Sequence, residues 1–334
     1  MVIWLQLLVC LIAIGFAGVK LAHYGDAIAD KTGMGGTWVG LVLLASVTSL
    51  PELVTGVSSV TIADVPEIAV GDVLGSCVFN LLIIVVLDFL HRGESVYTRA
   101  SQGHILSAGF GVMLIGFTGF NILLSASGFS LALKHVGIYS IFIVVLYGVA
   151  MSMLFRYERE QVAAFLEAEA DKYPHISLPQ LVFRYVIAAL VVVVMGSWLP
   201  FVAKDLALLM GWYESFVGTL LVALVTSVPE LVVTVTALRI GALDMAIANL
   251  LGSNLFNILI LAVDDVLYTQ GPLLANISPS HAVSAMSAVM MTGVAIVALL
   301  YRTKKRVLKT VGWASICLFT IYIINSFYIY LYGA

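Results

Sequence analysis

Long apolar runs separated by short polar connections recur from one end of this chain to the other. They fall near residues 2–22, 36–60, 66–90, 104–124, 136–155, 181–203, 214–238, 243–267, 281–301 and 311–332. A helix crossing the hydrocarbon core of a bilayer needs roughly 20 such residues. The pattern therefore predicts an all-α polytopic membrane protein with ten transmembrane helices. The longest polar connection, residues 156–180, begins RYEREQVAAFLEAEADKYPH and splits the pattern into five spans and five. Three parts result: a five-helix repeat over 1–155, a connecting loop over 156–180 and a second five-helix repeat over 181–334. The acidic residues of the loop are read as the exposed face of a solvated helix rather than as a regulatory cation site.

The two halves match in sequence. Residues 40–60, GLVLLASVTSLPELVTGVSSV, align with 218–238, GTLLVALVTSVPELVVTVTAL, with 11 identities in 21 positions. Residues 69–88, AVGDVLGSCVFNLLIIVVLD, align with 246–265, AIANLLGSNLFNILILAVDD, with 10 identities in 20. Shared apolar composition would match Leu and Val, but not Thr-Ser, Pro-Glu, Gly-Ser and Asn, so the halves are a duplication. Five spans per half is an odd number, and the second copy must enter the membrane in the opposite sense. Inverted repeats of this kind are typical of secondary transporters whose site lies at the repeat interface.

Charge refines the picture. Charged residues make up 10% of the chain and hydrophobic ones 61%, far from a soluble globular composition. With 16 Lys and Arg against 19 Asp and Glu there is no basic excess to hold nucleic acid. Sorting Lys and Arg by loop leaves Lys134 and Lys204 on one side and the other 14 on the opposite side. The positive-inside rule places the second side in the cytoplasm, with both termini outside and the 156–180 loop inside. The first run lacks the basic start and cleavage pattern of a signal peptide and is read as a retained span. Cys10, Cys77 and Cys317 lie in apolar runs without metal-ligand spacing and are read as packing residues. The histidines sit near span ends and are read as interfacial, as are Asp88, Asp264 and Asp265.

The chemistry concentrates in the repeated segments. Glu52 and Glu230 occupy equivalent mid-span places, where an ionised side chain costs about 2.5 to 3.5 kcal/mol on insertion scales. Each follows a proline, Pro51 or Pro229, which removes an amide donor and clashes with the carbonyl four residues earlier, that of Val47 or Val225. Carbonyls freed at membrane depth are tolerated where they line a cavity. Thr48 and Ser49 share the helix face of Glu52, and Thr226 and Ser227 that of Glu230. The third and eighth spans add Gly75-Ser76 with Asn80 and Gly252-Ser253 with Asn257, each Ser and Asn four residues apart on one face. The inventory is two carboxylates with hydroxyl, amide and carbonyl oxygens and no His or Cys, which suits a hard cation.

These twice-occurring motifs, Thr-Ser-x-Pro-Glu and Gly-Ser-x-x-Phe-Asn, resemble the signature repeats of the sodium/calcium exchanger family within the cation/calcium antiporter superfamily, prokaryotic type. The resemblance covers about 90 residues and is compatible with all ten spans. It implies that ions are held by Ala45, Thr48, Ser49, Glu52, Ser76 and Asn80 of the first repeat and by Ala223, Thr226, Ser227, Glu230, Ser253 and Asn257 of the second, the alanines through their carbonyls. It also implies transported Ca²⁺ and Na⁺ with no permanently bound cofactor, more than two Na⁺ per Ca²⁺, and residence in a prokaryotic plasma membrane. Three positions depart from the family pattern. Val47 and Val225 stand where many relatives have glycine, Asn257 replaces an aspartate of some prokaryotic relatives, and Asp72 stands where asparagine is usual. Asp72 is read as an extra acidic metal ligand, an acid of the outer vestibule or, equally, a solvated interfacial acid.

The expected function is exchange of Na⁺ for Ca²⁺ by alternating access, with the first and sixth spans sliding against a ligand-bearing core. Proton-coupled or potassium-dependent exchange of Ca²⁺ or another divalent cation is the alternative, and a passive channel is more remote. No HExxH, G-x-S-x-G or phosphate-binding glycine loop points to an enzyme.

Overall fold

The computed structural model describes residues 2–31, 45–91, 94–101, 103–162, 177–239, 241, 243–302, 306–307 and 311–333. Eight of its helices are long and apolar enough to cross a membrane: Val2–Leu21 within Val2–Lys31, Pro66–Leu90, Gly103–Ala126, Ile138–Tyr157 within Ile138–Val162, Leu178–Met210, Leu243–Leu267, His281–Tyr301 and Trp313–Tyr332. They are spans 1, 3, 4, 5, 6, 8, 9 and 10. Span 7 is a broken pair, Glu214–Thr226 and Val228–Arg239, bent by 45°. Span 2, described from Ala45, is interrupted at the equivalent residue, with Ala45–Thr48 followed by Leu50–Ser58. These complete the ten helices of two inverted five-helix repeats. The fifth helix continues to Val162, through the start of the expected connecting loop, and residues 163–176 of that loop lie outside the described residues.

Both breaks sit where the sequence dictates. Ser49 (φ −86°, ψ 13°) and Ser227 (φ −84°, ψ 6°) leave helical geometry just ahead of Pro51 and Pro229, and the chain then resumes a new helix that accepts proline in its first turn. Each glutamate thus lies in the first turn of a half-helix, at the positive end of its dipole. Span 2 ends in a π-helical stretch, Ser59–Ala63, and span 7 carries another at Val217–Val222.

Spans 3 and 8 form the centre and are buried on all sides, while spans 1, 5, 6 and 10 expose large apolar side chains where lipid would lie. Spans 1 and 6 pack along each other. They touch the core at small residues. Gly18 of span 1 meets the ring of Pro229, where an added Cβ would lie 2.2 Å from Cγ, and Gly196 of span 6 lies against Val54 of span 2. Gly75 of span 3 is pressed onto Thr219 of span 7, with room for no Cβ: it would sit 2.3 Å from the Thr219 carbonyl oxygen. Close backbone approach through small residues is how membrane helices gain packing without a hydrophobic drive between them.

Two buried aspartates lock the repeats together, which corrects the interfacial reading of Asp88 and Asp265. Asp265, at the end of span 8, accepts from the amides of Gly137 (2.8 Å) and Leu273 (2.7 Å) and the hydroxyls of Tyr139 (2.5 Å) and Ser140 (2.6 Å). It thereby holds the short hairpin of Ala132–Leu133 and Val136–Gly137 that leads into span 5. Its repeat mate Asp88 accepts from Ser95 Oγ, the amides of Val96 and Gly312 and Ser315 Oγ, and holds the hairpin of Arg306–Val307 and Val311–Gly312 that leads into span 10. A span-end position only looks exposed in one dimension; both carboxylates point inward, where buried donors need acceptors. The interfacial reading is also corrected for two histidines, which are buried and paired across the repeats: His281 Nε2 lies 2.7 Å from Glu67 Oε2 and His104 Nε2 lies 2.9 Å from Asp244 Oδ1.

Candidate cation site

The two breaks bring the repeated motifs of spans 2 and 7 face to face, and spans 3 and 8 close the flanks. Contacts run reciprocally between the repeats. Ser49 Oγ donates to Glu230 Oε1 at 3.0 Å, and Ser227 Oγ is 3.4 Å from Glu52 Oε1. Thr48 Oγ1 lies 3.5 Å from Ser253 Oγ, and Thr226 Oγ1 lies 3.5 Å from Ser76 Oγ. Ser227 Oγ also reaches Ser76 Oγ at 3.0 Å. Every one of these side chains is fully buried.

The remaining oxygens define what the cluster can hold. Glu52 Oε2, Glu230 Oε2, Asn80 Oδ1, Asn257 Oδ1 and Asp72 Oδ2 are buried without a hydrogen-bond partner among the described residues. A buried polar atom left unpaired costs on the order of 1–3 kcal/mol, more when it is charged, so these five oxygens are open to a ligand that supplies positive charge. Among the described residues no three His, Cys, Asp or Glu side chains converge as a resident metal would require. The donor set is the carboxylates of Glu52 and Glu230 with Asp72 beside them and neutral oxygens around, all oxygen donors that suit a hard cation.

Each residue expected from the sequence can now be placed. Glu52, Glu230, Thr48, Ser49, Thr226, Ser227, Ser76 and Ser253 belong to one hydrogen-bonded cluster. Ala45 O accepts from Thr48 Oγ1 and the Ser49 amide, and Ala223 O accepts from the Ser227 amide and lies 3.3 Å from Thr226 Oγ1, so both carbonyls lie at the breaks. Asn80 donates through Nδ2 to Asn254 Oδ1 at 3.0 Å, leaving its oxygen free, and Asn257 has no partner at either amide atom. Asp72 is tied into the cluster: it accepts from Thr226 Oγ1 at 2.8 Å and lies 3.5 Å from Ser76 Oγ. It is fully buried, not a solvated vestibule acid.

Two further buried polar residues were not expected in the core. Asn254 spans it from span 8 to span 3, also donating to the Cys77 carbonyl at 3.2 Å, and its adjacency to Ser253 was the available signal. Asp264 corrects the interfacial reading as Asp88 and Asp265 do: it is fully buried, and neither of its oxygens has a hydrogen-bond partner among the described residues. Being next to Asp265 at a span end, it carried no local sign of this.

An all-helical inverted repeat with broken helices meeting at a buried carboxylate pair defines a secondary-active membrane transporter. A family model described as sodium/calcium exchanger protein matches residues 2–155 and 181–330, and the chain belongs to that family, a family of antiporters. The sodium/calcium exchanger MaX1 of Methanosarcina acetivorans is 39% identical over 88 residues, covering 26% of this chain and 25% of that protein. Among solved structures, the sodium-calcium exchanger NCX_Mj shares the fold at TM-score 0.61 and 21% identity, over 96% of this chain and 95% of that one. The H⁺/Ca²⁺ exchanger CAX shares it at TM-score 0.67 and 13% identity, over 98% of this chain and 86% of that one. The protein is therefore an integral, multi-pass cation/calcium antiporter.

Proposed function

We propose that the protein exchanges Na⁺ for Ca²⁺ by alternating access at the buried cluster, with Glu52 and Glu230 as the charged ligands. Thr48, Ser49, Ser76, Asn80, Thr226, Ser227, Ser253 and Asn257 contribute neutral oxygens, and Ala45 and Ala223 contribute carbonyls. The observation that carries the reading is the pair of repeat-related carboxylates, each holding one oxygen in a cross-repeat hydrogen bond and leaving the other free. An empty, ionised pair carries two uncompensated negative charges in a low-permittivity interior, which is costly to occlude. One Ca²⁺ cancels them, and two or more Na⁺ do so instead. Loaded forms then cross easily, and obligatory exchange follows.

Spans 1 and 6, packed on each other and touching the core through Gly18 and Gly196, form the unit that slides over the site. The Lys and Arg asymmetry favours a cytoplasmic 156–180 loop with outward termini in a prokaryotic plasma membrane. A second reading, coupling to protons, is favoured by Asp72, a third carboxylate hydrogen-bonded directly to the ligand Thr226. The test is calcium flux into proteoliposomes under separately imposed Na⁺, K⁺ and H⁺ gradients. Uptake driven by Na⁺ alone supports the first reading; uptake driven by a pH gradient without Na⁺ overturns it in favour of the second.

A further inference from the structure

The repeat symmetry that builds the central site is broken in one respect, and the breakage is electrostatic. At the offset of 177 that aligns spans 3 and 8, Asp72 corresponds to Asn249 and Asp264 to Leu87. Two buried carboxylates therefore have neutral counterparts. Both lie toward the same end of the core. Asp72 is one turn before Ser76 on span 3, Asp264 is two turns beyond Asn257 on span 8, and these spans run in opposite senses. The acids consequently sit toward the face that carries Asp64 and Gln270, themselves bonded at 2.7 Å.

The wall opposite Asp264 changes with it. Gly56, one turn beyond Glu52 on span 2, faces this carboxylate so closely that an added Cβ would lie 2.4 Å from Asp264 Oδ2. The residue aligned with Gly56 in the second repeat is Thr234, which fills its place and accepts from Asn249 Nδ2 at 3.3 Å. Glycine and aspartate thus occur together in one half, threonine and leucine in the other. Asp264 is fully buried, and neither of its oxygens has a hydrogen-bond partner among the described residues. A structural aspartate in this fold looks different: neighbouring Asp265 is saturated by four donors. Among the described residues Asp264 has none, although Gly56 faces it directly and Asp265 adjoins it in sequence.

We propose that Asp264, seated against Gly56 one helical turn from Glu52, is a second binding station for the transported hard cation, present on one half of the path only. An ion arriving from the Asp64–Gln270 face would meet this carboxylate before the Glu52–Glu230 pair; an ion arriving from the other face meets Leu87 and Thr234. The two faces of the antiporter then differ in apparent cation affinity although the central site is nearly symmetric. This rests on the exchange reading above for the identity of the ion.

The test uses Asp264→Asn, which keeps the shape and removes the charge, and Gly56→Ala, which keeps the charge and displaces the carboxylate. ⁴⁵Ca²⁺ binding to the purified full-length protein at equilibrium in Na⁺-free buffer should weaken by about tenfold in Asp264→Asn, as expected for loss of one charge within several ångströms of a bound ion. In right-side-out and everted membrane vesicles, the half-saturating Ca²⁺ concentration should rise in both variants when Ca²⁺ is offered from the Asp64–Gln270 face and stay unchanged from the other. Binding isotherms that superimpose on the wild type would mean that Asp264 is a permanently protonated packing acid and would overturn the proposal. So would an equal loss from both faces. The binding readout does not depend on which ion drives exchange, so failure of Na⁺ coupling is seen separately in the flux assay.

Discussion

Replacing Asp265 with asparagine tests whether the fold is held at its ends by buried carboxylates. Asp265 receives four hydrogen bonds, shared between its two oxygens: Tyr139 and Leu273 on Oδ1, Gly137 and Ser140 on Oδ2. Asparagine keeps one acceptor and turns an NH₂ toward two donors, leaving those donors unpaired in a buried place. Hydrogen bonds to a charged group contribute about 1.5–3 kcal/mol each, and breaking a buried charged cluster from one side costs about 3–5 kcal/mol. The expected destabilisation of Asp265→Asn is therefore about 3–5 kcal/mol, a fall of roughly 5–15 °C in apparent Tm for a chain of this size. Thermal denaturation of purified protein followed by size-exclusion chromatography reads this directly. Asp88→Asn should behave alike, because Asp88 also receives four such bonds and additionally faces Arg306 at 3.5 Å. A shift smaller than about 2 °C in both variants would refute the reasoning.

Much of this architecture was legible in the sequence, and the reasons for the rest are physical. Apolar run length and the twofold recurrence of Thr-Ser-x-Pro-Glu are one-dimensional signals, and they led to the spans, to the inverted topology and to interruptions at Pro51 and Pro229, which fall in the structure at Ser49 and Ser227. The aspartates at span ends were misjudged because exposure depends on what the tertiary fold lays over a helix end. Their donors, such as Gly137 for Asp265 and Gly312 for Asp88, lie more than a hundred residues away in sequence. Yet a clue was present: Asp88 and Asp265, Glu67 and Asp244, and His104 and His281 are all related by the same offset of 177 as the Gly-Ser-x-x-Phe-Asn motif. Polar residues that a duplication keeps in both copies have partners, and the cross-repeat His–carboxylate pairs are what that pattern encodes.

Other outcomes follow from the same geometry. Gly75→Ala should destabilise by about 1–3 kcal/mol or more, because its Cβ would meet backbone atoms of Thr219 that cannot rotate away; unchanged thermal stability would contradict the tight seating of span 3 on span 7. Ser49→Ala and Ser227→Ala should each raise the half-saturating Ca²⁺ concentration by roughly 5- to 30-fold, the equivalent of about 1–2 kcal/mol. The second should be the larger, since Ser227 Oγ also lies within hydrogen-bond distance of Ser76 Oγ, at 3.0 Å, and Ca²⁺ titration of initial flux rates checks the order. Gly18→Ala should slow turnover while leaving equilibrium Ca²⁺ binding intact, because span 1 rides over Pro229 at that point; parallel loss of both would place the defect in the site instead.

The central claim is that two repeat-related carboxylates must both be charged for ions to be held and exchanged. Calcium uptake driven by a sodium gradient in proteoliposomes, compared among wild type, Glu52→Gln, Glu230→Gln and the double variant, addresses it most directly. Each single substitution should abolish uptake as completely as the double one, since either leaves a Ca²⁺ with an unbalanced positive charge in the bilayer interior. Sustained uptake in either single variant would contradict the account.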